Sequence, residues 1–198
     1  MRKSKTSGVL ILDFGSQYTQ LIARRVRESN VYSEILPANT SLNSIISKSP
    51  KAIILSGGPA SVFSDNAPDF DKEILNIDIP ILGICYGLQL LVHHSGGTVD
   101  STGAGEYGFA TIKTVIKNGI TKNMSSSSKV WMSHMDQVTV VPDDWDVVAY
   151  SSNNVIAAMA SNNHMRVATQ FHPEVSQTEE GDILLNNFLF HISKCKKI

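Results

Sequence analysis

One cysteine in this sequence stands where a reacting group would. Gly83-Ile84-Cys85-Tyr86-Gly87 follows the strand-type apolar run Ile79-Pro80-Ile81-Leu82 and leads into Leu88-Gln89-Leu90-Leu91-Val92, the start of a helix. Small residues on both sides of a nucleophile at a strand-to-helix junction suit a nucleophile elbow. They allow the sharp turn that holds the side chain out at the end of a sheet. Cysteine reacts as thiolate, and a helix N-terminus beside the sulfur favours that anion. A buried structural cysteine at a strand end fits the same run, so the decision rests on what else the chain brings to it.

Near the C-terminus stands Gln170-Phe171-His172-Pro173-Glu174. In an extended segment His172 and Glu174 project to one face, and Pro173 pushes the residue before it out of the α region. A single histidine is more often a satisfied core residue. Here Glu174 can accept from one imidazole nitrogen and fix the tautomer, which frees the other nitrogen to take a proton from Cys85. Acyl transfer by such a set also needs donors for an oxyanion. The N–H of Tyr86, directly after the nucleophile, is one. The second comes from Gly57-Gly58 in Ser56-Gly57-Gly58-Pro59, at the carboxyl end of an apolar strand, where α/β sheets place their ligands. A plain tight turn is the alternative reading of that run.

Other chemistries find no support. The sequence has no G-x-x-x-x-G-K-[ST], and Ala60 stands where a pyrophosphatase-type phosphate loop carries Asp. His93-His94 is adjacent rather than at i, i+4, which predicts helix-surface histidines. Asp65, Asp69 and Asp71 lack the glycine and terminal glutamate of an EF-hand. The two cysteines, Cys85 and Cys195, make neither a disulfide framework nor a thiolate zinc site. Cys195, among Lys194, Lys196 and Lys197, reads as an inert thiol in a frayed tail.

The 198 residues fit a single domain spanning 1–198, and a net charge of −1 gives no electrostatic footprint for nucleic acid or anionic membrane. Met1 to Lys5 is basic but lacks the apolar stretch of a signal peptide, and Val9 to Phe14 is too short to span a bilayer. A cytoplasmic location is expected.

The elements that must position these residues alternate in the first half. Strands are expected at Val9 to Phe14, Ser33 to Leu36, Lys51 to Leu55 and Ile79 to Ile84. Helices are expected after Gly15-Ser16 (Tyr18, Leu21, Ile22 and Val26 inward), at Leu42 to Ile46, weakly at Phe70 to Leu75, and from the elbow to Gly96-Gly97. Arg24, Arg25 and Arg27 read as solvated charge. This alternation predicts a parallel sheet covered by helices on both faces. Beyond it come short β-type runs: Phe109 to Ile116, Lys129 to Met132, Val138 to Val141, Val147 to Tyr150, Val155 to Met159 and Val167 to Phe171. They predict antiparallel strands. Ser125 to Ser128 reads as a mobile loop, and Glu179 to Ile192 as a closing helix with Ile183, Leu184, Phe188 and Ile192 inward.

The elbow with Gln89, the Gly57-Gly58 turn and His172-Pro173-Glu174 resemble, in that order, the class I (triad) glutamine amidotransferases. Leu12 to Tyr18, Ser56 to Pro59 with Ser61-Val62, Val130 to His134 with Asp136, and Phe171 to Gly181 are most similar to the branch that serves GMP synthases. The anthranilate synthase branch would carry Asp-Ser-Phe at the first strand end and Cys-Leu-Gly-His-Gln at the elbow, and neither is present. The resemblance implies a flavodoxin-like α/β fold with a mainly parallel central sheet, flanking helices and antiparallel strands in the second half. It implies Cys85 as nucleophile toward L-glutamine, His172 as acid and base, Glu174 as its orienter, and the N–H groups of Gly58 and Tyr86 as oxyanion hole. Gln89, Ser133, Met135 and Asp136 would recognise the substrate.

The same resemblance implies no cofactor or metal in this domain, since ATP and magnesium belong to the partner. That partner is an ATP-pyrophosphatase (synthetase) domain or subunit that adenylylates XMP and receives the ammonia. The family usually has glycine where Met135 stands, which points to a left-handed backbone there, and Gly105 replaces the arginine common before Glu106-Tyr107-Gly108. With no synthetase domain in the chain, a stand-alone subunit or an excised domain is expected. The residues leave two other readings: a γ-glutamyl hydrolase on the same scaffold, and a regulatory or interaction subunit with a misaligned triad.

Overall fold

A computed structural model describes residues 8–101 and 103–198; the basic start at Met1 to Lys5 lies outside them. The apolar runs of the first half form strands β1 (Val9–Asp13), β2 (Ser33–Pro37), β3 (Ala52–Leu55) and β4 (Ile81–Ile84). Between and after them lie helices α1 (Thr19–Glu28), α2 (Leu42–Ser47) and α3 (Tyr86–His94). The later runs form β5 (Thr98–Asp100), β6 (Glu106–Thr114), β7 (Ser127–His134), β8 (Gln137–Val140), β9 (Trp145–Ser151), β10 (Ile156–Ser161) and β11 (Arg166–Thr169). Helix α4 (Gly181–Asn186) passes into a π-helical segment, Asn187–Ile192.

Nine strands make one sheet in the order β2-β1-β3-β4-β11-β10-β9-β6-β7, while β5 and β8 pair separately. The neighbours from β2 to β11 are parallel, and those from β11 to β7 are antiparallel. Side-chain alternation along β1 splits the interior in two. Val9 and Ile11 pack with Ile22 and Val26 of α1 and with Leu184 and Phe188. Leu10 and Leu12 pack with Ile45, Ile74, Leu88 and Leu91 on the other face. Strands buried on both faces must be apolar throughout, which is why this half reads so plainly. Each fully buried Leu, Ile or Phe contributes roughly 1.5–3 kcal/mol.

Register then gathers three strand ends. Leu55 pairs with Gly83, and Ile84 pairs with Thr169. The segments after β3, β4 and β11 therefore emerge side by side, and the N–H of Cys85 donates to Thr169 O at 2.8 Å. Strand β7, at the far end of the sheet order, also reaches this corner. Trp131 O accepts from the N–H of His172 at 3.0 Å, and Lys129 O from that of Glu179 at 2.9 Å.

Several local expectations are corrected. The Phe70 to Leu75 helix is a 3-10 turn at Lys72–Asn76, whose Asp71 cap also accepts from the Leu42 N–H of α2. Ser127 and Ser128 belong to β7, and Ser125 is tied through its N–H and hydroxyl to the Glu180 carboxylate, so the serine run is no mobile loop. Strand β5 was not legible, being three residues with only Val99 buried. Cys195 does not sit in a frayed tail. It is buried in the core, its N–H donates to Leu189 O, and burial pushes its thiol up to about 11. His93 and His94 are exposed on α3, as their spacing predicts.

Candidate active site

Cys85 sits between β4 and α3 with φ 54° and ψ −105°. A non-glycine residue held there stores on the order of 1–3 kcal/mol, so the surrounding packing must impose it. The glycines act differently from the expectation. Neither Gly83 nor Gly87 has positive φ, and the turn falls on the cysteine itself. What they permit is close approach: a Cβ on Gly83 would lie 2.5 Å from the Gly87 carbonyl, and one on Gly87 2.4 Å from Leu55 O. With helix and strands clamped together, the sulfur faces a cavity of about 580 Å³.

His172 lies across the same cavity, but the route differs from the alternation argument. Strand β11 ends at Thr169, and 173–174 form a turn. The turn is pinned from several sides. Thr178 Oγ donates to His172 O at 2.6 Å and itself accepts from the Trp131 N–H at 3.0 Å. Arg25, expected in solvent, donates through Nε to Glu174 O at 2.9 Å. Glu174 is fully buried, and its Oε1 stands 2.7 Å from His172 Nδ1. That leaves Nε2 for Cys85. Burial alone would lower the imidazole pKa, but hydrogen bonds and charge from Cys85 and Glu174 outweigh it and raise it to about 10. An imidazolium so held stabilises a thiolate opposite.

The other predicted residues fall around this pair. Gly58 lines the cavity, and a Cβ there would meet Phe14 O at 2.3 Å. Tyr86 opens α3, so its N–H is one of the amides without an intrahelical acceptor, while its ring is buried against Phe14. Gln89, Ser133, Met135 and Asp136 all line the cavity. Gln89 is buried, and its Nε2 donates to Asp136 O at 3.0 Å. Ser133 O lies 3.4 Å from Cys85 Sγ. Met135 does not adopt a left-handed backbone, so the glycine argument fails for this chain; the residue is 46% exposed at the rim. The left-handed position is Gly105 instead, φ 70°, where a Cβ would sit 2.4 Å from His134 O.

Three participants escaped the sequence reading. Gln170 Nε2 is 3.6 Å from Cys85 Sγ. The buried His134 places Nδ1 2.8 Å from Asp136 O and Nε2 2.9 Å from Glu106 Oε1. Burial would raise the Glu106 carboxyl, but hydrogen bonds from His134, Asn153 and Ser151 bring it below the ordinary range. Glu106 and His134 face each other across β6 and β7, a pairing visible only once the register is known. Among the described residues no group of three or more His, Cys, Asp or Glu side chains could hold a metal ion, and no helix is long and apolar enough to cross a membrane.

A strained cysteine at a strand-to-helix junction and a histidine held by a buried glutamate stand together at the carboxyl edge of a parallel sheet, an arrangement of the kind cysteine acyl transfer requires. The family model described as glutamine amidotransferase class-I matches residues 10–192, and the chain belongs to that family. Among curated relatives, it is 49% identical over 189 residues to the GMP synthase [glutamine-hydrolyzing] of Brachyspira hyodysenteriae, covering 96% of this chain and 37% of that protein. To the enzyme of the same name from Campylobacter hominis it is 47% identical over 192 residues, 97% of this chain and 38% of the other. The chain thus spans little more than a third of the length of these relatives. Among solved structures, a protein assigned as a GMP synthase subunit from Thermoplasma acidophilum matches with a TM-score of 0.79 at 28% identity, covering 91% of this chain and 90% of the other. A glutamine amidotransferase from Thermotoga maritima, TM-score 0.67 at 22% identity over 84% and 76% of the two chains, shares the fold.

Proposed function

We propose that this chain is a single glutaminase domain that releases ammonia from L-glutamine for the amination of XMP to GMP by an ATP-dependent synthetase domain or subunit, in the cytoplasm. The observation that carries the chemistry is His172, which holds Glu174 at 2.7 Å through one nitrogen and turns the other toward Cys85. The sulfur adds to the side-chain amide carbon, and the carbonyl electron pair moves to an oxygen facing the N–H groups of Gly58 and Tyr86, each worth about 3 kcal/mol in the transition state. His172 protonates the departing nitrogen, the C–N bond breaks, and a γ-glutamyl thioester remains. Water then gives a proton to His172 and attacks, the S–C bond breaks, and glutamate leaves. Gln89, Ser133, Met135 and Asp136 enclose the amino-acid end of the substrate. ATP and magnesium serve the partner, and no cofactor enters these steps.

The choice of XMP as final acceptor is supported by the GMP synthase relatives, each of which extends well beyond the region this chain matches. Turnover is expected to be low alone and to rise with the partner, as gating steps often require. Mixing the chain with a GMP synthase synthetase domain, XMP and ATP-Mg, and following glutamine-dependent GMP, tests the whole reading. No GMP, together with faster cleavage of γ-glutamyl peptides than of glutamine, would move the assignment to a γ-glutamyl hydrolase.

A further inference from the structure

Gln170 is fully buried directly after β11, where the Thr169–Ile84 register sets it beside Cys85. Its amide orientation is fixed by a neighbour. Gln89 Nε2 donates to Asp136 O and, at 3.4 Å, to Gln170 Oε1, which leaves the Gln170 Nε2 donors facing Sγ at 3.6 Å. On another side of the sulfur stands Ser133 O, 3.4 Å away. A carbonyl there accepts from a thiol but repels a thiolate, so the anion needs donors to offset it. We infer that Gln170 is a catalytic residue whose side-chain N–H stabilises the Cys85 thiolate, both before attack and as the leaving group of the thioester. This assignment rests on the glutaminase reading. In the second half-reaction the S–C bond breaks and its electron pair returns to sulfur, in front of the Gln170 amide, while His172 holds the proton taken from water.

The titratable groups around the sulfur are His172, with Glu174 behind it, His134 at the end of β7, Asp136 just beyond it, and Tyr107 on β6. Tyr18 meets the His172 ring edge-on. Among these neighbours of the sulfur, Gln170 is the side-chain donor that does not titrate, so removing its amide should move the reactivity of Cys85 along the pH axis.

The test is the rate of Cys85 alkylation by iodoacetamide between pH 5 and 9, read by mass spectrometry, in the parent, Gln170→Met and Gln170→Asn. Buried Cys195 serves as internal reference, and unfolding midpoints report the fold. Loss of one charge-assisted hydrogen bond predicts alkylation about tenfold slower at pH 6 and a profile displaced upward by about one pH unit. Met removes the donor and Asn withdraws it, so either folded variant decides. A lower unfolding midpoint with an unmoved profile assigns Gln170 to packing alone and overturns the inference. Glutamine hydrolysis by the same parent sample separates the two readings. A moved profile without any ammonia release by the parent sinks the glutaminase reading and leaves the thiolate contact standing, while ammonia release with an unmoved profile does the reverse.

Discussion

Two buried histidines in this molecule each hold a glutamate. His172 and Glu174 lie in the turn beyond β11, and His134 and Glu106 face each other across β6 and β7. Both imidazoles are 4% exposed. They differ in what the second nitrogen meets. That of His172 faces a sulfur that can exchange a proton, whereas His134 Nδ1 is committed to Asp136 O. On the proposed reading, the same two residue types make a proton carrier beyond β11 and a brace between β6 and β7. The brace holds Asp136, whose carbonyl in turn anchors Gln89.

The contrast can be broken by substitution. Cys85→Ala and His172→Gln should each lower glutamine hydrolysis by on the order of 10⁴-fold, measured as ammonia release, because the members of such a set act as a unit. Full activity of Cys85→Ala would falsify both hydrolase readings. His134→Gln should instead cost about 1–3 kcal/mol of stability in urea unfolding, since buried Glu106 loses the His134 hydrogen bond and keeps that from Asn153. Its kcat should fall less than about tenfold while KM for glutamine rises, as expected when a wall of the site loosens rather than the chemistry. Equal kcat losses in folded His134→Gln and His172→Gln would erase the distinction.

A smaller effect concerns pH. The folded His172 pKa, about 10, lies above its unfolded value near 6.5, so its share of stability is complete below about pH 6.5 and is lost as pH rises through about 10. Glu174→Gln removes one cause of the rise. Its stability deficit should be greatest at pH 6 and shrink by at most about 1.4 kcal/mol per pH unit on the way to pH 10. A deficit that is constant over this range would show that His172 is not held as the cation. Smallest of all should be Met135→Gly. The backbone there is not left-handed, so the substitution relieves no strain and should destabilise by about 0.5–1 kcal/mol through added chain freedom. A gain in thermal midpoint would contradict this.

Much of the site could be read from local runs. The elbow, the Gly57-Gly58 turn and His172-Pro173-Glu174 are each contiguous, and each lies at the end of a strand that must be apolar because helices cover both faces. The reading of the turns was less secure. Alternation along an extended strand suggested the His172–Glu174 pair, yet β11 has already ended, and the pair forms because Thr178, Trp131 and Arg25 hold a turn. Trp131 and Arg25 are far from the turn in sequence, and no local pattern marks them. Arg25 illustrates the limit: helical periodicity assigned it to solvent, but the end of its side chain lies within reach of a carbonyl from the opposite end of the chain.

By itself the sequence determined most of the order of strands and helices, β5 excepted, the parallel character of the first half, and Cys85, His172 and Glu174 as candidate site residues. These follow from residue types and short spacings, which act over a few positions. Only the tertiary structure decided which strand ends lie together, because register is a property of pairing and not of any one segment. It set Gln170 beside the sulfur, placed His134 opposite Glu106, and put the positive φ on Cys85 rather than on its glycines. Each of these depends on a neighbour distant in the chain, and it is packing between elements that imposes it.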